Sequence, residues 1–295
     1  MDAVKRVGII ANQEIPGADD IVRRAMAVIK DAGCELMLDS SMAAWLGEVN
    51  DAGILTDFAE RCQICLVFGG DGTFLRAARA LKKRQVPLLG FNMGNLGFLT
   101  ILRVDEIEEA LAPIMRGDYV VEERMRLEAC VQRKGQLLGQ HLALNDAVMH
   151  MSQGSRLVEF NISVGGNHLG VYRADGLIVC TPTGSTAYSM SAGGPIVHPP
   201  MNALVATPIC PHALSIRPIV VGDEEEFRIS IGKRSGEAVL TLDGMINVWL
   251  QQGDEIFIHK ADRGVPICQP TGFNYYSLVR EKLGWGVPDK NGELD

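Results

Sequence analysis

The sequence predicts an α/β + β fold: an amino-terminal α/β domain with a parallel sheet, then an all-β, sandwich-like carboxyl-terminal domain. Three observations predict it. Strand-type and helix-type apolar patterns alternate up to about residue 120. Past Tyr119 they give way to short runs of period-two alternation, and Gly, Asn and Asp residues separate those runs. At 295 residues the chain has room for two domains of ordinary size. The expected division is 1–120, 121–272, and a segment 273–295 that packs back on the first domain.

In chain order, KRVGIIAN reads as a strand, and residues 19–32 read as a helix with Ile21, Ala25 and Ile29 on one face, ending at Gly33. CELML and ICLVF follow as strands, FLRAARALKKR as a helix, VPLLGF as a strand and VDEIEEALAPIMRG as a helix. Strands that alternate with helices imply parallel pairing, because each crossover returns the chain to the same end of the sheet. In LVEFNISV, Val158, Phe160, Ile162 and Val164 point one way and Glu159, Asn161 and Ser163 the other, as a half-buried strand requires. FRISI and EIFIH repeat the pattern, and GGN at 165–167, the Gly-Asp before Glu224 and Asp-Gly at 243–244 read as turns. YYSLVREKLGW regains helical spacing.

Composition narrows the function classes. An apolar fraction of 47% and a net charge of −8 describe a globular chain without the basic face of a nucleic-acid binder. No apolar run reaches the ~18 residues that a membrane span needs, so the expectation is a cytoplasmic protein with neither nucleic-acid nor membrane partner. Seven scattered cysteines fit a reducing compartment. The one CxxC, Cys62 and Cys65, runs into the apolar segment ICLVF and reads as structural.

Two segments carry chemistry. Gly69-Gly70-Asp71-Gly72-Thr73 lies where a buried strand ends and a helix begins, the place where open α/β sheets bind ligands. Glycines let backbone N–H groups approach phosphate oxygens, and the helix N-terminus adds positive partial charge. Asp71 would repel phosphate unless it met a metal ion or a hydroxyl about to lose its proton, which points to phosphoryl transfer. The second segment, Thr181 to Pro195, carries hydroxyls at six of the eleven positions 181–191, Tyr188 aside, and suits a polyhydroxylated ligand with a ring stacked on Tyr188. Neither GxxxxGK[ST] nor a GxGxxG after the first strand is present, which disfavours P-loop enzymes and standard dinucleotide dehydrogenases.

GGDGT at 69–73, GNLGFL at 94–99, LNDAV at 144–148, RADGLIVCTPTGSTAYSMSAGGPIVHP at 173–199, PHALSIRP at 211–218 and KLGW at 282–285 together resemble the bacterial NAD kinase family over almost the whole chain. GGDGT alone is shared with lipid and sugar kinases, whereas TPTGSTAYSMSAGGP is specific. The resemblance implies transfer of the γ-phosphoryl group of ATP to the 2′-hydroxyl of the adenosine ribose of NAD, with a divalent metal ion, Mg2+, and with NAD in a cleft between the domains. It implies that Asp71 accepts the hydroxyl proton and that Gly69, Gly70, Gly72 and Thr73 meet ATP phosphates. Around NAD it places Asp71, Gly72, Arg76, Asn145, Asp146, Arg156, Arg173, Asp175, Gln251 and the run Thr186, Ala187, Tyr188, Ser189, Met190 and Ser191. Asp146 stands where relatives carry Glu, which withdraws the carboxylate by one methylene. A homodimer or homotetramer is implied as well. The alternatives are a lipid or sugar kinase sharing GGDGT and a non-catalytic NAD-binding regulator; NADP formation from NAD and ATP separates them.

Overall fold

A computed structural model describes residues 2–48, 61–81, 85–151, 158–232, 235 and 237–285. The chain divides into two compact units, Met1–Glu122 with Pro266–Asp295, and Glu123–Val265. In the first unit, strands β1 (Arg6–Ala11), β2 (Glu35–Met37), β3 (Ile64–Gly69), β4 (Leu88–Asn92), β5 (Leu102–Arg103) and β6 (Tyr119–Arg124) join β19 (Val265–Pro270) in one sheet. The order is β2-β1-β3-β4-β19-β6, with β5 beside β4, and the β1–β2, β1–β3, β3–β4, β4–β5 and β4–β19 pairs are all parallel. Between the strands run α1 (Ala18–Asp31), α2 (Ser40–Leu46), α3 (Asp71–Ala80) and α4 (Ile107–Met115).

The face that α1 buries is Val22, Ala25, Met26 and Ile29; Ile21 sits at its edge. Gly33, at φ 72, takes the left-handed conformation after the helix that a Cβ would disfavour. α2 falls in SSMAAWL, a segment with no expected element; Asp39 caps it by accepting from Met42 N at 2.7 Å. The sequence assigns β19 to the β-rich run ending at 272, but it inserts between β4 and β6.

The second unit holds two six-stranded sheets among its described residues. In chain order its strands are β7 (Leu127–Arg133), β8 (Gln136–Ala143), β9 (Asp146–Met151), β10 (Val158–Val164), β11 (Asn167–Ala174) and β12 (Gly176–Cys180). Then come the four-residue helix α5 (Tyr188–Ser191), β13 (Ala203–Ile209), β14 (Ile219–Gly222), β15 (Phe227–Ile231), β16 (Ala238–Leu242), β17 (Ile246–Leu250) and β18 (Glu255–Lys260). The sheet orders are β11-β10-β15-β18-β7-β8 and β14-β13-β12-β9-β16-β17. One core joins the inner faces of both, with Val158, Phe160 and Ile162 from the first against Ala147, Met149 and Leu177 from the second. The alternation read in LVEFNISV is this inner face. Asp243 (φ 49) and Gly244 (φ 67) form the hairpin turn between β16 and β17 with the paired positive φ of a type I′ turn. The chain ends its described course in α6 (Tyr275–Leu283), capped by Asn274.

Candidate functional site

In the first unit the site is built where β3 hands over to α3. Gly69 has φ 155, and a Cβ there would fall 2.7 Å from Thr73 Cβ, so only glycine lets the helix start this close to the strand. Thr73 N and Phe74 N donate to Gly70 O at 2.9 and 3.2 Å. The N–H groups of Asp71 and Gly72 belong to the first helical turn, which has no intrahelical acceptors for them and carries the positive end of the helix dipole. Thr73 is buried and its hydroxyl accepts from Arg76 Nη2 at 3.2 Å. Of the residues expected at phosphate, it therefore turns its side chain inward.

The Asp71 carboxylate is held by the loop after β4. Its Oδ1 accepts from Leu99 N at 3.1 Å, Thr100 N at 2.9 Å and Thr100 Oγ1 at 2.9 Å, and its Oδ2 from Phe98 N at 2.8 Å. Gly97 makes the approach possible, since a Cβ on it would lie 2.6 Å from Asp71 Cγ. The Thr100 hydroxyl accepts in turn from Asn92 Nδ2 at 2.8 Å, and Asn92 Oδ1 accepts from Gly94 N at 2.7 Å. From α6, Lys282 donates to Leu96 O and lies 5.7 Å over the Phe98 ring. Oδ1 is saturated. Oδ2, with one donor, keeps a lone pair for an incoming hydroxyl. Asn92, Phe98 and Thr100 were given no role from sequence; the usable signal was that GNLGFLT, like GGDGT, follows the carboxyl end of a buried strand, and β3 and β4 are parallel neighbours.

In the second unit a pocket of about 330 Å³ is lined by Asn145, Asp146, Val148, His150, Ala187, Tyr188, Thr241, Asp243 and Gly244. That volume is at the small end of ligand sites, which run from ~300 to 1,000 Å³, and suits one nucleoside portion of a ligand. Asn145 Oδ1 and Thr183 Oγ1 are buried without a hydrogen-bond partner. Buried polar atoms are nearly always satisfied, so the orphan on Asn145, which lines the pocket, marks a place where a ligand's polar group completes the structure. Tyr188, 48% exposed, supplies the aromatic wall.

Residues 7–119 match the ATP-NAD kinase N-terminal domain family and residues 144–269 the ATP-NAD kinase C-terminal domain family. The chain belongs to the NAD kinase family. It is 41% identical over 288 residues to the NAD kinase of Pseudomonas putida (strain W619), covering 97% of each chain. To the NAD kinase of Syntrophotalea carbinolica it is 38% identical over 283 residues, covering 96% of this chain and 99% of the other. Among solved structures it resembles the yeast NADH kinase complexed with NADH, with TM-score 0.88 and 26% identity over 99% of this chain and 91% of that one. It also resembles an NAD kinase from Archaeoglobus fulgidus in complex with ATP, with TM-score 0.73 and 26% identity over 95% and 98%. NAD kinase activity, a phosphotransferase reaction with ATP, follows from this near full-length similarity, and the α/β sheet followed by two antiparallel sheets is the NAD kinase fold. The lipid-kinase, sugar-kinase and silent-regulator alternatives are set aside.

In this NAD kinase fold the hydroxyl-rich segment is more structural than its composition implied. Thr181 Oγ1 donates to Leu144 O at 2.6 Å, Ser185 Oγ to Pro182 O at 2.6 Å and Thr186 Oγ1 to Thr183 O at 3.2 Å, while Ser189 Oγ pairs with Thr207 Oγ1 at 2.8 Å. Thr181 ties the turn to the Leu144 backbone and Ser189 ties it to β13, while Ser185 and Thr186 close on the turn itself. Ser189 is fully buried and Ser191 exposed. Of the run 186–191, Ala187 and Tyr188 reach the pocket. Thr183, one of the six hydroxyl positions expected to suit a polyhydroxylated ligand but outside the run 186–191, carries the orphan hydroxyl.

The other expected residues are dispersed. Arg76 is exposed on α3. Arg173 pairs across the strands with Glu159, Nε to Oε2 at 3.1 Å, where a bridge to Asp175 was the structural alternative. With Arg173 53% exposed, such a pair is worth ~0–1 kcal/mol and releases the guanidinium readily to a stronger anion. Asp175 lies half-buried at the junction of β11 and β12, its N–H donating to Ile209 O at 3.0 Å. Gln251 is exposed just after β17, at the Ala238–Leu250 end of the β16–β17 hairpin, whereas the pocket lies at the Asp243–Gly244 end. The structure thus does not bring Gln251 to the pocket. Arg156 lies outside the described residues.

Asp146 is 5% exposed, and its carboxyl is pushed up to about 7, first by burial and then by the neighbouring Asp243 charge. The folded protein keeps a proton here that the unfolded chain releases near pH ~4. The stability this group contributes is complete below that pH and is lost as pH rises through about 7. Asp146→Asn is therefore expected to flatten the Tm profile of the NAD-free protein between about pH 5 and 8, by an amount corresponding to about 3 kcal/mol at most. Parallel Tm profiles for variant and parent would contradict this. Burial also raises the thiols of Cys62 and Cys65, the first to about 12, which keeps both protonated and inert.

Proposed function

We propose that the two segments divide the NAD kinase reaction, the GGDGT turn handling phosphate and proton and the 144–146 turn with its pocket selecting NAD. The orphaned acceptor Asn145 Oδ1, beside the buried Asp146 and the Tyr188 ring, carries the second half of this reading. An amide acceptor and a carboxylate on one wall suit the amino and hydroxyl donors of an adenosine, with Tyr188 stacking on a ring. The NADH and ATP held by the yeast and archaeal relatives support the same ligand classes here.

Asp71 would accept the ribose 2′-hydroxyl proton at Oδ2 as the new P–O bond forms. A ribose hydroxyl is far too weak an acid to be deprotonated in advance by a carboxylate, so the work of Asp71 is to orient the hydroxyl and take the proton late. Gly70, Gly72 and the first turn of α3 would receive the ATP phosphates through backbone N–H groups. Among the described residues no three His, Cys, Asp or Glu side chains gather into a metal cage. That suits magnesium carried by the triphosphate, since this ion prefers phosphate oxygens and water. When bound, it would neutralise charge developing on the transferring phosphoryl group.

No helix among the described residues is long and apolar enough to cross a membrane. A cytoplasmic site of action is supported by the odd, scattered set of seven cysteines. A homodimer or homotetramer is supported by exposed apolar side chains on the β unit, Val171, Leu214 and Trp249 among them.

The test is NADP formation from NAD and ATP with and without EDTA. Turnover is expected to vanish on chelation and to return with added magnesium; undiminished turnover in EDTA would rule the metal out.

A further inference from the structure

The turn that presents Asn145 and Asp146 is held from outside its own segment. Asp243 Oδ2 accepts from Leu144 N at 2.8 Å, and its Oδ1 accepts from Asn145 N at 2.7 Å and Asp146 N at 3.2 Å. The Asp243 N–H returns a bond to Asp146 O at 3.0 Å. Four hydrogen bonds thus lash one residue to three, across 97 to 99 positions of sequence. Strand pairing alone does not supply them, since the β9–β16 ladder ends at the Ala147–Leu242 pair.

Asp243 fits this duty in two ways. It sits at φ 49 in the β16–β17 turn, a conformation that Asp and Asn tolerate far better than most residues. Its carboxylate offers two oxygens at the spacing of successive backbone N–H groups, and charge-assisted bonds of this kind are the stronger ones. Asp243 lines the pocket, yet both its oxygens are engaged with the backbone, so its main action on a ligand is through the residues it holds.

We propose that Asp243 is a positioning residue for NAD, fixing the Leu144–Asp146 turn so that the Asn145 and Asp146 side chains face the adenosine. The proposal rests on the reading that these two side chains hold adenosine. It carries a second consequence, because Asp243 is a negative charge beside a buried carboxyl. The other ionisable groups around Asp146 are Cys180, on the paired strand β12 and neutral with its thiol at about 12, and His150 and Tyr188 in the pocket lining. Arg126 is the cation that senses Asp243. Removing the Asp243 charge leaves Asp146 easier to ionise.

The experiment compares Asp243→Asn, Asp243→Gly and Asn145→Ala with the parent in NADP formation, measuring KM for NAD and kcat across pH. Asp243→Asn keeps the turn conformation but sets an amide N–H2 against a backbone N–H. Asp243→Gly keeps the conformation without that opposition, should the first variant fold poorly. Both are expected to raise KM for NAD about tenfold with a smaller change in kcat, as loss of a half-buried charged acceptor predicts. The acid limb of the KM profile is expected to move to lower pH in both, because the Asp243 charge no longer opposes ionisation of Asp146, and the rise in KM with kcat largely kept is what a general loss of fold would not produce. Parent-like KM and an unmoved limb in both Asp243 variants, with Asn145→Ala impaired, would overturn the positioning role. Parent-like KM in Asn145→Ala would overturn the adenosine reading beneath it.

Discussion

Replacing Asp71 with asparagine is expected to lower kcat for NADP formation by about three orders of magnitude, the scale of a lost general base together with a lost charge at the reacting centre. Equilibrium binding of NAD should change by no more than about threefold. The asymmetry follows from the hydrogen bonds. The amide oxygen can keep the three donors that now converge on Oδ1, so most of the loop 98–100 stays in place. The NH2 group then occupies the Oδ2 position, where it faces Phe98 N–H and offers no lone pair to a ribose hydroxyl. Stopped assays for NADP, beside NAD titration of the same preparation, check both halves. A kcat within tenfold of the parent would remove Asp71 from proton transfer.

The second large effect is expected from Gly184→Ala. A Cβ on Gly184 would lie 2.6 Å from Asn145 Cα and closer still to the Asn145 carbonyl. Backbone conformation is not the difficulty, since Gly184 is not among the positive-φ residues. The difficulty is close approach. The TPTG turn rests directly on Asn145 through Thr181 N to Asn145 O at 2.9 Å, and Gly184 N braces the turn from within by donating to Thr181 Oγ1 at 3.1 Å. Driving the two apart displaces the Asn145 and Thr183 acceptors together and shifts Tyr188. The expectation is a rise of about a hundredfold in KM for NAD, with about 2 kcal/mol of lost stability from overpacking. Kinetics and thermal melts read the two effects separately; an unaltered KM in a folded variant would mean that the turn does not shape the NAD pocket.

The fold was legible where local periodicity decided it. Apart from α2, the main strands and helices up to α4 and the inward face Val158, Phe160 and Ile162 follow from period and burial alone. α2 escaped because seven residues of mixed Ser, Ala and Trp show no clear helical stripe. β19 escaped because its destination, between β4 and β6, is a matter of long-range pairing that its own apolar residues do not encode.

The site was legible in the same uneven way. The chemical types at Asp71, Asn145, Asp146 and Tyr188 drew notice because a carboxylate in a glycine turn and an aromatic in a polar run are unusual. Their partners did not, because Thr100 lies 29 residues from Asp71, and Asp243 lies 98 from Asn145. The hydroxyls of 181–191 misled in the opposite direction. Sequence counts donors but does not say that Thr181, Ser185, Thr186 and Ser189 satisfy the turn itself.

If phosphoryl transfer and NAD selection reside in separate segments, calorimetric titration of NAD into Asp71→Asn and Gly184→Ala side by side separates the two. Parent-like affinity is expected for the first and an affinity weakened about a hundredfold for the second. Loss of NAD binding in Asp71→Asn, with parent-like binding in Gly184→Ala, would contradict that division.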